Sequence, residues 1–229
     1  MGGINMLTNQ IEKKLKDTFE YNLFSKKSAI EVTKNIISAE QLDDYLFTMI
    51  DRNILTSFED IPGVYQFTKI NNDLGIPITI KATRDELVEY LYLDNNTGYV
   101  YGNSVLKNLG LSTQMPQEEY IATKRTSKMI IKDIENYTYN VKPVKIKSIN
   151  KENIRLLQII DTLLLPGILS DDGETKERIL EKLVTFALST LNSFEEVTEI
   201  TSNYSRQEEE RLEDIGFFDE VDKQQSISF

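Results

Sequence analysis

A metal-dependent nuclease needs no histidine if an aspartate and a nearby Glu-x-Lys hold Mg²⁺ through oxygen ligands. The chain offers one such set: Asp171 and Asp172, followed by Glu174-Thr175-Lys176. It falls at a loop-to-helix start, where the helix dipole favours acidic residues without any metal. Other chemistry is poorly provided for. The chain has no Cys and no His, which removes Ser-His and Cys-His nucleophile pairs and every thiolate or imidazole zinc site. We assign no catalytic residue, no metal ligand and no cofactor, and expect a protein that is not an enzyme.

Binding is the chemistry that remains, and charge shows where. The net charge is −11, and residues 151–229 carry 8 basic against 18 acidic side chains. That third repels nucleic acid and attracts a basic partner, or is a solvated helical surface. Residues 121–150 are the opposite: Lys124, Arg125, Lys128, Lys132, Lys142, Lys145 and Lys147 stand against Asp133 and Glu135. On strands these cations would form one basic face for nucleic acid, for an acidic partner or for the chain's own C-terminal third. The alternative is ordinary solvated strand surface.

The elements that position these groups follow from periodicity. Leu7, Ile11, Leu15 and Phe19 recur every four residues and predict an amphipathic helix. A short second helix holds Ala29, Ile30 and Val32. Ser38 with Gln41 is a capping-box pattern, and Leu42, Tyr45, Leu46, Met49 and Ile50 then give one apolar face, so a third helix runs from about Ser38 to Arg52. The period then changes to β-rich Ile54–Phe58, a Pro62-Gly63 turn and β-rich Val64–Phe67. Three helices and a hairpin are the order of a winged helix-turn-helix, whose third helix enters the major groove. The DNA-binding candidates are Lys26, Lys27, Lys34, Gln41, Arg52 and Lys69, joined by Lys124, Arg125 and Lys128. Helix three is acidic on its outer side, with Glu40, Asp43, Asp44 and Asp51. Such a module binds DNA weakly unless it dimerises or borrows cations from elsewhere, so a protein-docking winged helix stays open beside the DNA reading.

Asn71–Gly75 punctuates the chain. Beyond it a strand is expected within Ile76–Ile80, then a helix opened by Thr83 and Glu86. Further strands are expected at Tyr99–Tyr101, Tyr120–Thr123, Ser127–Lys132 and Tyr137–Lys145. Asn103 is expected to cap a short helix that Gly110 ends. From Asn150 onward three helical stretches follow, with a frayed end at Gln224–Phe229. The expected architecture is α+β: a winged helix-turn-helix over 1–70, a central mixed α/β domain over 71–150 and acidic C-terminal helices over 151–229. No apolar run is long enough to span a membrane. Met1–Asn5 lacks a signal pattern, so a cytoplasmic protein is expected.

One segment joins several signals. Tyr101–Pro116 reads as a short helix, a glycine turn, a polar triplet and a proline, a corner suited to capturing an anion or simply to turning the chain. The pattern Gly102-x-Ser104, then Leu109-Gly110-Leu111-Ser112-Thr113-Gln114-x-Pro116 and Tyr120-x-x-Thr123, resembles AbiEi-like antitoxins of type IV (abortive infection) toxin–antitoxin systems. The strand Lys128–Lys132 is also similar. The resemblance covers about 99–147. It implies a transcriptional autoregulator that binds operator DNA through a winged helix and counteracts a nucleotidyltransferase-type toxin. The reading kept beside it is a scaffold that docks a protein partner through its acidic C-terminal helices.

Overall fold

The computed structural model describes residues 2–71, 78–112, 118–169, 174–191 and 193–227, with backbone alone at 2–6, 174 and 227. The chain is a mixed α+β protein that divides into two compact units, Met1–Tyr90 and Leu91–Phe229. Among the described residues no helix is long and apolar enough to cross a membrane.

The first unit opens with α1 (Gly2–Phe19), β1 (Phe24–Ser25), α2 (Lys26–Thr33) and α3 (Ala39–Asp51), and continues through β2 (Leu55–Ser57) and β3 (Val64–Phe67). The four-residue spacing of α1 brings fully buried Ile11 and Leu15 against Leu42, Leu46 and Met49 of α3 in one cluster. Ser38 and Gln41 make the reciprocal capping box their spacing predicts. β1, β3 and β2 lie in that order in an antiparallel sheet, with Phe24 opposite Tyr65 and Leu55 opposite Phe67. Phe24 stacks on Phe19 at 4.4 Å between ring centres and tilts against Phe67 at 5.9 Å. A second hairpin, β4 (Lys69–Asn71) with β5 (Ile78–Ile80), leaves Ile70, Ile78 and Ile80 exposed. The break expected at residue 70 therefore falls inside β4. Thr83 and Glu86 cap α4 (Arg84–Val88) as anticipated.

The second unit is built on a four-stranded sheet: β6 (Gly98–Tyr101), β7 (Glu118–Thr123), β8 (Ile130–Ile134) and β9 (Tyr137–Pro143), in the order β6-β7-β9-β8. β7 runs parallel to β9 and the other pairs are antiparallel. Glu135 and Asn136, at φ 49° and 63°, close the β8–β9 hairpin, as a two-residue turn with both central residues left-handed should. The helix α5 (Asn103–Asn108) follows β6, with Gly102 rather than Asn103 at the capping position. Five helices complete the unit: α6 (Ile154–Leu163), α7 (Glu174–Leu188), α8 (Phe194–Thr201), α9 (Arg206–Asp214) and α10 (Phe217–Ile227).

One core joins sheet and helices: Tyr99, Tyr101 and Ala122 share it with Leu157, Leu183, Val197, Leu212, Phe217 and Val221. The break expected at residue 150 thus lies within a single hydrophobic cluster. The expected frayed end is corrected for Gln224–Ile227, which continue α10, while Ser228 and Phe229 lie outside the described residues. Gln224 anchors that turn by donating to the Glu181 carbonyl at 2.9 Å.

Candidate functional site

The nine cation and amide candidates fall into two sets. Six belong to the first unit. Lys26 begins α2 and bonds Asp43 of α3 at 2.7 Å. That bond to Asp43 raises the Lys26 pKa, with burial opposing it. Lys34 caps the other end of α2 and pairs with Glu31 at 3.2 Å. Gln41 has its amide oxygen committed to the Ser38 N–H. Lys27 and Arg52 are exposed, and the Lys69 ammonium lies 5.9 Å from the centre of the Tyr21 ring. These positions lie at both ends of α2, at both ends of α3 and on a strand. The outer side of α3 instead carries Glu40, Asp43, Asp44 and Asp51 around Phe47, which is 71% exposed.

The other three, Lys124, Arg125 and Lys128, are brought together in the exposed turn between β7 and β8, where Arg125 approaches Asp94 at 3.5 Å. Of the recipients expected for the 121–150 cations, the chain's own C-terminal third is the one that Lys142 and Lys145 meet. Lys142 and Lys145 turn inward to carboxylates of α6 and α9. Both faces of this sheet are covered here. Ile121 and Val141 are buried on one face, Tyr99 and Ala122 on the other, with Lys142 beside Ala122.

Those lysines reach a buried site that no sequence motif marks. Asp161 is, among the described residues, the one charged side chain in the buried set, and it is 1% exposed. α6 carries it onto the sheet face where Tyr99, Ala122 and Lys142 lie side by side. One carboxylate oxygen accepts from the Tyr99 hydroxyl at 2.8 Å. The other accepts from Tyr204 at 3.0 Å and from the Lys142 ammonium at 2.9 Å. Lys142 also lies 4.6 Å over the Tyr101 ring, a cation–π contact that strengthens with desolvation. Burial, then the Asp161 charge, pushes Tyr99 and Tyr204 well above the ordinary tyrosine pKa. Both phenols therefore stay donors.

A second pair extends the network. Lys145 bonds Glu208 of α9 and lies 5.0 Å over the Tyr204 ring. Burial opposes ionisation of Glu208, but bonds from Lys145 and from the hydroxyl and N–H of Ser205 outweigh it and lower its pKa to about 2. α6 also seals the outer edge of β6: Gln158 donates to the Val100 carbonyl at 2.9 Å, and the Gly102 N–H donates to the Thr162 hydroxyl at 2.8 Å. An edge strand covered in this way is protected from pairing with another chain.

Two glycines of the 102–116 segment have physical reasons here. Gly102 sits at φ +85°, and a Cβ there would lie 2.8 Å from Leu165 and 3.1 Å from Tyr120. Gly110, at φ +68°, has open space around it, so only its backbone needs glycine. Its N–H bonds the Lys107 carbonyl at 2.9 Å, and the Leu111 N–H bonds that of Leu106 at 2.8 Å, the paired ending of a Schellman motif. Leu109 and Leu111 pack on the core, and Ser104 is half-buried. Thr113, Gln114 and Pro116 lie outside the described residues, as do Asp171 and Asp172 of the carboxylate set and the side chain of Glu174. Among the described residues no group of three or more metal-ligating side chains occurs.

No family model matches the chain, and no curated protein matches it. Function therefore rests on these geometries. The arrangement in the second unit is a latch that ties helices to the sheet. Its carboxylate is enclosed by donors, and its partners come from β6, β9 and the loop after α8.

Proposed function

We propose that the chain is an antitoxin-like transcriptional regulator, of the AbiEi-like kind, with a DNA-binding winged helix in its first unit. The second unit, in this reading, counteracts a nucleotidyltransferase-type toxin. The observation that carries the proposal is the order α1-β1-α2-α3-β2-β3 with the strands arranged β1-β3-β2. In a winged helix the third helix follows a short turn and a two-stranded wing comes next, and the succession α2, α3, β2, β3 supports that reading. The exposed cations Lys27 and Arg52, with Lys26 and Lys34 at the ends of α2, supply phosphate contacts. A mobility shift of the full chain on DNA from its own promoter tests this. Retardation at low salt that fades as salt rises is expected; no retardation at low salt by folded protein overturns it.

A second reading is favoured by one observation: the exposed Phe47 ringed by Glu40, Asp43, Asp44 and Asp51 on the outer side of α3. An exposed aromatic inside an acidic surface suits a basic protein partner better than a phosphate backbone. Co-purification with the product of the adjacent gene, abolished by Phe47→Ser while DNA retardation persists, would support it. An unchanged complex with Phe47→Ser would end it.

A further inference from the structure

Residues 151–229 hold 18 acidic side chains and only 8 basic ones, so a cation there has many carboxylates to pair with. Three of the eight share one cleft and form no ion pair among the described residues. Arg155 of α6 and Arg178 and Lys182 of α7 line a cleft of about 560 Å³, in which Glu181 is the one acidic lining residue. Three cations against one carboxylate leave a charge of +2. The size is that of a small-molecule site, typically about 300–1,000 Å³.

Arg155 is held in place before any ligand arrives. Its guanidinium carbon lies 4.9 Å from the centre of the Phe186 ring, and Nη1 donates to the Ser189 hydroxyl at 2.6 Å. That hydroxyl donates onward to the Phe186 carbonyl at 2.6 Å. A stacked, hydrogen-bonded guanidinium offers its remaining N–H donors in a fixed plane and loses little freedom on binding. Arg178 and Lys182 stand one helical turn apart on α7 and so project on the same side. Leu109, at the C-terminal end of α5, and Phe186 give the cleft its apolar wall.

We propose that this cleft binds a small organic phosphate: a dianionic group carried on an apolar or planar body, as in a nucleoside phosphate. The two guanidinium forks and the ammonium take the phosphate oxygens, for which planar paired donors are suited. Leu109 and Phe186 flank the body. A net +2 matches a phosphate dianion better than a single carboxylate.

Calorimetric titration of the full chain at low salt with AMP, ATP, adenosine and inorganic phosphate tests the proposal. The nucleotides are expected to bind at least about tenfold more tightly than adenosine or phosphate alone, a gap of roughly 1.4 kcal/mol. The double variant Arg178→Glu/Lys182→Glu is expected to weaken them at least about tenfold with an unchanged circular dichroism spectrum. Should that variant fail to fold, Arg178→Gln/Lys182→Gln gives the same comparison. Adenosine binding as tightly as AMP overturns the anion site, and phosphate binding as tightly as AMP overturns the apolar wall. Absence of nucleotide binding, or binding indifferent to both double variants, overturns the proposal entirely.

Discussion

The first unit surrounds Ile11, Leu15, Phe24, Leu42 and Phe67 with more apolar side chains and, among the described residues, has no charged residue in its buried set, while the second closes its core over Asp161. The difference lies in how many geometries each core tolerates. Apolar contacts are non-directional, so the first unit accepts small changes of packing. The carboxylate of the second unit accepts from Tyr99, Tyr204 and Lys142 at once, and those three come from β6, the loop after α8 and β9. One docking of the helices on the sheet satisfies all of them. Leaving a buried charge without its partners is expensive, whereas replacing the whole set with apolar groups need not be.

That contrast can be broken most forcefully at Lys142. Lys142→Ala leaves Asp161 buried without its counter-charge and should destabilise the second unit by roughly 3–5 kcal/mol in denaturant unfolding. Replacing the whole set, with Lys142→Met, Asp161→Leu, Tyr99→Phe and Tyr204→Phe together, should recover most of that loss because no buried donor or charge is left unpaired; if the fourfold variant is as unstable as Lys142→Ala, the buried charge is not the cause. Gly102→Ala comes next. It forces a Cβ against Leu165 at φ +85° and should cost about 1–3 kcal/mol, whereas Gly110→Asn, in open space, should be milder because asparagine tolerates a left-handed backbone.

A comparable effect on the first unit comes from Ser38→Ala, which removes the hydroxyl that accepts from the Gln41 N–H and should cost about 1 kcal/mol. Acid separates the units further. The Glu208 carboxyl is lowered from its ordinary 4.5 to about 2, so its contribution is present above the unfolded value and lost as pH falls through the folded one. Unfolding of the second unit should therefore ease as pH drops from 4.5 towards 2, and Glu208→Gln should flatten that slope. At the other extreme, raised Tyr99 and Tyr204 stabilise below the ordinary tyrosine value of 10.0 and lose that contribution as pH rises above it. The smallest change is expected from Lys26→Met, whose pair with Asp43 is open to water and screened.

Local signals made most of the first unit legible. The i, i+4 spacing of Leu7 to Phe19 and the Ser38–Gln41 and Thr83–Glu86 boxes each act within a few residues, and each appears in the fold. Gly110 was legible for the same reason. The latch was not, because its partners lie 62 and 43 residues from Asp161. One signal was available: Asp161 is the one charged residue in the mostly apolar run Leu156-Leu157-Gln158-Ile159-Ile160-Asp161-Thr162-Leu163, and a buried carboxylate requires partners. α9 escaped notice because Leu212 is its one apolar residue among Arg206–Asp214. Pairing of the 121–150 cations with the chain's own C-terminal third, one of the outcomes left open by charge, is met by Lys142 with Asp161 and Lys145 with Glu208; which lysines would turn inward was not legible, because a lysine on a strand is indistinguishable in sequence whether its face meets water or a helix.

The proposed role of α3 is open to one direct measurement. Fluorescence anisotropy of promoter DNA, titrated with the full chain at low salt, compares the natural protein with Asp44→Lys. If α3 faces DNA, exchanging an exposed acid for a base tightens binding about tenfold and steepens its salt dependence. Binding that is absent, or the same in both proteins, contradicts the DNA-reading winged helix.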